Sequence, residues 1–515
     1  MHTKIKYRPA AAIKFLRALA VTLSCLLLFP AFLCLFSALW YTQTFGKTGF
    51  DSVLFTLSAG FSGVQSGMLL SYLTGGVMPA LLCGGLTALL LFFPGRKTFF
   101  AKLFGKKIRF FPLRRGIASL ISLVLSLALI LFSAIHVDMI DYFVKQFQNS
   151  SLYVKEYRNP DDTAITFPEE KRNLVYIILE SMETSYLSTD QGGAMETNLI
   201  PELFQLAQTY TNFSHNDTVG GFSQISGASW TVGSMVAQTG GVPLITPIGV
   251  SDYQNGYGKE GDFLPGLTTL HNILHENGYY QALMVGSDAR YGGRKTYYET
   301  HDTDHIYDLF TARKAGLIPE DYFVWWGYED LYLFEYAKDA LTEISQQEQP
   351  FAFTLLTADT HHVGGYPCKL CQRTYKENYE NVISCSSRQV LAFVQWLMEQ
   401  PFFENTTIVI TGDHESMDAG YFQRNVDPSY QRHMYNCFIN AAAETEHTKN
   451  RQFTAMDMFP TTLAALGCTI EGNRLGLGVN LYSNLPTLTE RLGYEYLNEE
   501  LGKRSSFYDR FYSGN

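Results

Sequence analysis

Three long apolar runs dominate the first quarter of the chain: ALAVTLSCLLLFPAFLCLFSALW at 18–40, LTGGVMPALLCGGLTALLLFF at 73–93 and GIASLISLVLSLALILFSAIHV at 116–137. None holds a charged side chain. Each is long enough to cross a hydrocarbon core of about 30 Å as a helix. One such run could be a buried helix of a soluble protein, but three in close succession predict an α-helical transmembrane region. The first is too long for a cleaved signal peptide and lacks a small-residue cleavage site. The segment FDSVLFTLSAGFSGVQSGMLLSYL, 50–73, fits an interfacial helix or a short re-entrant one.

Past residue 137 the pattern changes. Residues 138–170 are polar and read as a tether. From Asn173 onward, short apolar runs alternate with amphipathic stretches. NLVYIILE (173–180), YQALMVG (280–286), FAFTLLTAD (351–359), TIVITGD (407–413) and MYNCFIN (434–440) predict strands. Their near-continuous apolarity suits strands covered on both faces. The stretches 266–277, 331–346, 376–399 and 455–466 predict helices between them. Such alternation defines one α/β domain, 171–515, around a mixed or parallel sheet. No internal repeat or low-complexity tract interrupts it.

Charge divides the chain at the same place. Residues 1–137 hold 14 Lys/Arg and a single acid, Asp51, whereas the remainder holds 25 Lys/Arg and 48 acids. An acidic second part argues against a nucleic-acid partner, because phosphate backbones need a basic face. Lys4, Lys6, Arg8, Lys14 and Arg17 precede the first apolar run. Arg96, Lys97, Lys102, Lys106, Lys107, Arg109, Arg114 and Arg115 lie between the second and third, while the 41–72 loop has only Lys47. The positive-inside rule then puts the amino terminus and the 94–115 loop in the cytoplasm, and everything after about 138 outside.

Cysteines change that picture little. Cys25, Cys34 and Cys83 fall in apolar runs; Cys368, Cys371, Cys385, Cys437 and Cys468 fall in the outer part. CKLC at 368–371 is half of a zinc-ribbon pattern, but no second CxxC follows. Outside the cytosol a disulfide, with Cys385 as partner, is the expectation. Five is odd, so one thiol at least stays unpaired.

Candidate chemistry gathers at strand ends, where open α/β sheets bind ligands. Glu180 ends the first strand, Asp359 and His361 follow the third, and Asp413 and His414 end the fourth. Any one could be a helix cap or a surface residue. Together, carboxylates with an imidazole suit a hard or borderline divalent cation. SWTVGSMVAQTGGVPL (229–244) offers hydroxyls before a helix-like stretch, Ser229 and Thr231. A hydroxyl there gains from the helix dipole, and metal coordination would lower its pKa; simple N-capping is the alternative.

These segments together resemble the alkaline-phosphatase (sulfatase-like) superfamily, and within it the lipoteichoic acid synthases and phosphoglycerol transferases. The resemblance covers most of 172–483, and TVGSMVAQTGGVPL is especially similar to the periplasmic glucan phosphoglycerol transferases. It implies an alkaline-phosphatase-like sandwich with a central mixed, mostly parallel sheet, preceded by the transmembrane region. It also implies that Glu180, Thr231, Asp413 and His414 hold a divalent metal, Mn²⁺ first, with Zn²⁺ and Mg²⁺ as alternatives. Thr231 takes the role of nucleophile. GSDARYGGR (286–294) is similar to a phosphate-binding loop whose final base is Arg294, and Asp288 and His361 match polar groups around glycerol and phosphate. His361 is also matched to proton transfer.

The implied activity is transfer of glycerol phosphate from phosphatidylglycerol, through a Thr-linked intermediate, to a glycan or polyglycerol-phosphate acceptor. The implied location is a bacterial inner membrane, multi-pass, with an extracytoplasmic catalytic domain. There are departures. Lipoteichoic acid synthases carry five spans and a His and a Trp in the substrate loop, where this chain has three runs, Val285 and Gly292. Phosphoethanolamine transferases and phosphodiesterase or sulfatase-type hydrolases are alternatives. The former's cysteine-rich framework is not evident, and no C/S-x-P-x-R motif surrounds Thr231. A non-catalytic membrane sensor on the same fold is a reading from another class.

Overall fold

The computed structural model describes residues 9–46, 49–59, 66–92, 99–103, 106–110, 114–245 and 261–513. Lys4, Lys6, Arg8, Lys47, Arg96, Lys97 and residues 60–65 of the 50–73 segment lie outside the described residues. The chain forms two compact units: Met1–Lys47 with Val64–Asp141, and Thr48–Gly63 with Tyr142–Asn515.

The first unit is helical. Helices α1 (Pro9–Phe45), α2 (Met78–Phe92) and α3 (Arg115–His136) carry the three apolar runs. The spans Ala18–Phe45, Gly67–Phe92 and Arg115–His136 are long and apolar enough to cross a membrane. The second span begins before α2, so residues 67–72 of the ambiguous segment continue into it. Small residues let these helices approach: Ala31, Ala80 and Ala118 are fully buried, and a Cβ on Gly84 would touch the Phe29 backbone at 3.6 Å. Ser122 Oγ donates to the Ser24 carbonyl at 2.6 Å, joining α3 to α1. The intervening basic loop holds an antiparallel strand pair, Phe99–Leu103 with Phe110–Lys106.

The second unit is built on a seven-stranded sheet. Its strands are β1 (Asn173–Leu179), β2 (Gly221–Phe222), β3 (Tyr280–Val285), β4 (His305–Tyr307), β5 (Phe351–Leu356), β6 (Thr406–Gly412) and β7 (Met434–Ile439). The order across the sheet is β2-β7-β6-β1-β5-β3-β4. The five strands from β6 to β4 are parallel, and β7 and β2 run antiparallel at one edge. The five long strands follow the sequence pattern closely. The short edge strands β2 and β4 carry too few residues to show a period.

The apolar runs follow from two buried faces. In β1, Leu174, Tyr176 and Ile178 enter one core, while Val175, Ile177 and Leu179 enter the other. Burial of each such side chain contributes about 1.5–3 kcal/mol. Helices α4 (Thr231–Gly240), α5 (Arg294–Thr300), α6 (Asp330–Ile344) and α7 (Asn378–Met398) complete the layers that concern the site. Leu152, Tyr153 and Tyr157 also join the first core, and Ile165–Thr166 pairs with Thr469–Ile470. The helix Phe50–Ala59 belongs to this unit, and its Asp51 carboxylate accepts the Gly227 N–H at 3.1 Å.

The disulfide expected for cysteines outside the cytosol is not formed. All eight cysteines are thiols, and the Cys368 sulfur stands 3.9 Å from Cys371 and 3.8 Å from Cys385. A bonded pair would be at about 2.05 Å.

Candidate active site

Parallel pairing of β1 and β6 brings their ends together. Leu179 pairs with Gly412, so Glu180 and Asp413, each the next residue, leave the sheet side by side. Glycine is required at 412 because a Cβ there would meet the Met182 carbonyl oxygen at 2.0 Å. The following turn places His414 beside both acids. His414 Nε2 lies 3.6 Å from Glu180 Oε1 and 3.3 Å from Asp413 Oδ2. Thr231, the first residue of α4, completes the group: its Oγ1 is 3.2 Å from Glu180 Oε2 and 3.4 Å from His414 Nε2. Trp230 is the N-cap and its side chain makes no capping bond, so the Thr231 hydroxyl is not used in capping. Ser229 is buried two residues earlier.

The hydrogen bonds orient lone pairs inward. Asp413 Oδ1 accepts the N–H groups of Ser181 (2.7 Å) and His414 (2.8 Å), while Oδ2 is buried without a hydrogen-bond partner. The His414 ring uses Nδ1 on the Glu415 carbonyl at 2.9 Å, which leaves Nε2 unprotonated toward the acids when the ring is neutral. An orphaned buried carboxylate oxygen beside an imidazole lone pair is what a cation would satisfy. Glu180, Asp413 and His414 offer one such atom each, all within 4.8 Å of one another. The donor set therefore fits a divalent metal, which would take Thr231 Oγ1 as a further neighbour.

Electrostatics agree with close coupling. Burial opposes ionisation of Glu180, but His361, His414 and the Ser181 hydroxyl outweigh it and hold its carboxyl below the ordinary value. Burial, then the Glu180 charge, pushes Asp413 up to about 7. Burial would depress His414, yet Asp413 and Glu180 raise it.

The remaining sequence candidates lie around this group in different ways. Arg294 opens α5 after β3 and is buried; Nη2 donates to Ser287 Oγ (3.0 Å) and the Asp288 carbonyl (2.8 Å), and Nε to the Tyr291 carbonyl (3.1 Å). Nη1 has no hydrogen-bond partner among the described residues. His361 follows β5 and senses both Glu180 and Arg294; burial is the main cause of its lowered pKa. Its Nδ1 meets the His362 carbonyl at 2.8 Å, and its ring packs 4.6 Å from that of Trp326. Asp288 is turned to Arg290, which it binds at 2.8 Å. Burial works against that carboxylate, and Arg290 holds it below its ordinary pKa.

Several supporting residues escaped the sequence reading. Ser181 adopts φ 54° and donates to Glu180 Oε1 at 2.7 Å. Ser234, one turn into α4, donates to the Asp413 carbonyl at 2.6 Å. Fully buried Glu183 accepts Ser416 N–H at 2.6 Å and Arg432 Nε at 2.8 Å, with Arg432 Nη2 on its other oxygen, so the turn after His414 is pinned. Asp330 opens α6 and accepts the N–H groups of Ala358 (2.7 Å) and Asp359 (3.0 Å), fixing the start of the His361 loop. The sequence signal was available only for Glu183 and Ser181, which adjoin Glu180.

A mostly parallel sheet with carboxylates, imidazole and a helix-start hydroxyl at its carboxyl edge defines an alkaline-phosphatase-like α/β sandwich. Residues 172–468 match the Sulfatase family, and the chain belongs to that family. Phosphoglycerol transferase I of Escherichia coli is 30% identical over 268 residues, covering 51% of this chain and 33% of that protein. The same enzyme from Salmonella paratyphi B is 30% identical over 269 residues, with 51% and 33% covered. The chain thus spans about a third of the length of these curated relatives. Among solved structures, the lipoteichoic acid synthase LtaP from Listeria monocytogenes is 18% identical, with TM-score 0.48 and 62% of this chain and 79% of that one covered. The lipooligosaccharide phosphoethanolamine transferase A of Neisseria meningitidis is 13% identical, with TM-score 0.49 and 87% and 84% covered.

Proposed function

We propose that this chain is a membrane-anchored, metal-dependent phosphoglycerol transferase. It moves glycerol phosphate from phosphatidylglycerol to a glycan or polyglycerol-phosphate acceptor, through an intermediate on Thr231. The observation that carries this reading is the Thr231 hydroxyl at 3.2 Å from Glu180 and 3.4 Å from His414, at the start of α4. Similarity to phosphoglycerol transferase I over 51% of the chain supports the choice of substrate.

Glu180, Asp413, His414 and Thr231 would hold the cation, Mn²⁺ first, with Zn²⁺ and Mg²⁺ as alternatives. When bound, it supplies Lewis-acid polarisation of the phosphate and acidifies a neighbouring hydroxyl. Thr231 Oγ1 attacks phosphorus; the new O–P bond forms as the bond to the diacylglycerol oxygen breaks. Arg294 orients the phosphate oxygens through Nη1, its other donors being fixed to the backbone and Ser287. His361, neutral and with Nδ1 on a carbonyl, offers Nε2 as base to the acceptor hydroxyl. In the first half-reaction it passes the proton lost by Thr231 Oγ1 to the departing diacylglycerol oxygen, and in the second it passes the acceptor's proton to the departing Thr231 oxygen. Asp288, paired with Arg290, shapes the loop that carries Arg294.

The domain assignment belongs to the same proposal: a membrane part over 1–137, a link over 138–170 and the catalytic part over 171–515. The basic residues between the second and third spans support a catalytic part outside a bacterial inner membrane, where the lipid donor would be at hand. A reporter enzyme fused after residue 150 tests this: it should be active only in an extracytoplasmic compartment, and cytoplasmic activity contradicts it. The activity test uses purified protein with phosphatidylglycerol labelled in its headgroup. Diacylglycerol release with label passed to an acceptor is expected. Free glycerol phosphate as the sole product, with acceptor present, would instead identify a hydrolase.

A further inference from the structure

The segment 367–374 follows the His361 loop and lacks regular secondary structure. Every residue in it is exposed except Cys368, which is buried, and Cys371, which is half-buried. Its backbone makes a single internal turn, Cys371 N–H to the Cys368 carbonyl at 3.0 Å. Beyond a cation–π contact of Lys369 with Tyr332 at 5.2 Å, what attaches it to the domain is sulfur. Cys368 meets Cys371 at 3.9 Å and Cys385 of α7 at 3.8 Å, and all three sulfurs lie within 4.8 Å of one another. Two small side chains bury too little surface to hold an eight-residue exposed loop.

We infer that Cys368, Cys371 and Cys385 form a structural site for a thiophilic divalent cation, Zn²⁺ by ligand type, which pins the His361 loop to α7. Zinc–thiolate bonds of about 2.3 Å in a tetrahedron set neighbouring sulfurs about 3.8 Å apart. That matches both contacts of Cys368. A disulfide would use two sulfurs and strand the third, whereas a cation uses all three. Donors surround the sulfurs. The Gln389 amide points at the sulfurs of Cys385 (3.6 Å) and Cys368 (3.9 Å). Arg388, three residues after Cys385 in α7, has Nη2 buried without a hydrogen-bond partner, a positive charge to set against the negative charge left when three thiolates bind one dication. The fourth position is left to water. This site is separate from Glu180, Asp413 and His414 and does not depend on the proposed activity.

Full-length protein in detergent, purified without chelator, tests the inference. Titration with an organomercurial should release one equivalent of zinc, measured with a colorimetric chelator. Cys385→Ser should lose that zinc, and His414→Ala should retain it. Cobalt substitution should give a thiolate-to-cobalt charge-transfer band that Cys371→Ser removes; this readout holds even if one serine variant folds poorly. Alkylation of the denatured, unreduced chain should label all eight cysteines. Hydrogen exchange across 367–374 should rise when zinc is stripped. Absence of thiol-dependent metal, or a disulfide within this trio, overturns the inference.

Discussion

The two side-chain clusters of the second unit are positioned by opposite means. Glu180 and Asp413 leave adjacent parallel strands in register, so the sheet fixes them whether or not a cation is present. Ser181, Ser234 and the Glu183–Arg432 pair then lock their orientation. Cys368 and Cys371 lie on an exposed loop, held by their meeting with Cys385, the Gln389 amide and one cation–π contact of Lys369. The first arrangement is suited to chemistry, because its groups need not reorganise during reaction. The second is suited to fastening, because binding there creates order that the chain alone does not supply.

The largest expected effect isolates chemistry in the rigid cluster. Thr231→Ala should lower kcat by several orders of magnitude, because nucleophile and ligands act as a unit. Metal content and thermal unfolding should stay near wild type, as Glu180, Asp413 and His414 remain in place. Next comes the rigidity itself. Arg432→Ala leaves Glu183 charged and fully buried, which should cost about 3–5 kcal/mol of stability. Denaturant unfolding measures that loss, and metal affinity should fall with it. A Glu183–Arg432 pair that contributed nothing would leave both unchanged.

Metal addition separates the regions directly. A cation at 100 times its Kd should stabilise the native state by about 2.7 kcal/mol. Hydrogen exchange in β1 and β6 should barely respond, since the strands are already ordered. The smallest effect tests fine tuning. Ser181→Ala deletes the 2.7 Å bond to Glu180 and should cost about 1 kcal/mol. Burial and the two histidines act on Glu180 as before, but one cause of its lowered pKa is gone, so its pKa rises. Metal binding needs the carboxylate, so the pH at which affinity fails on acidification should move upward. A downward or absent shift, followed by metal titration against pH, would contradict this role for Ser181.

The contrast also explains what could be read from the chain. Five long strands were legible because both faces are buried, leaving apolar runs such as Val409 and Ile410 in β6. Glu180, Asp413 and His414 stood out because each falls at an element's end; Ser229 and Thr231 both preceded a helix-like stretch, and only the family resemblance selected Thr231. Arg432 gave no signal: its partner Glu183 is far away in sequence, and only the fold joins them. Asp330 reads as an ordinary helix-start acid, although its carboxylate holds the backbone of 358–359. Placement outside the cytosol pointed to a disulfide, because sequence gives proximity but not the count of sulfurs meeting at one point.

The most direct test of the central claim is the fate of the Thr231 hydroxyl. Purified protein is incubated with headgroup-labelled phosphatidylglycerol, quenched in acid before acceptor is added, and digested for peptide mass spectrometry. The account predicts a phosphoglycerol adduct on Thr231, formed in step with diacylglycerol release and lost on chase with acceptor. An adduct on Ser229, or a Thr231→Ala variant that turns over like wild type, would contradict it.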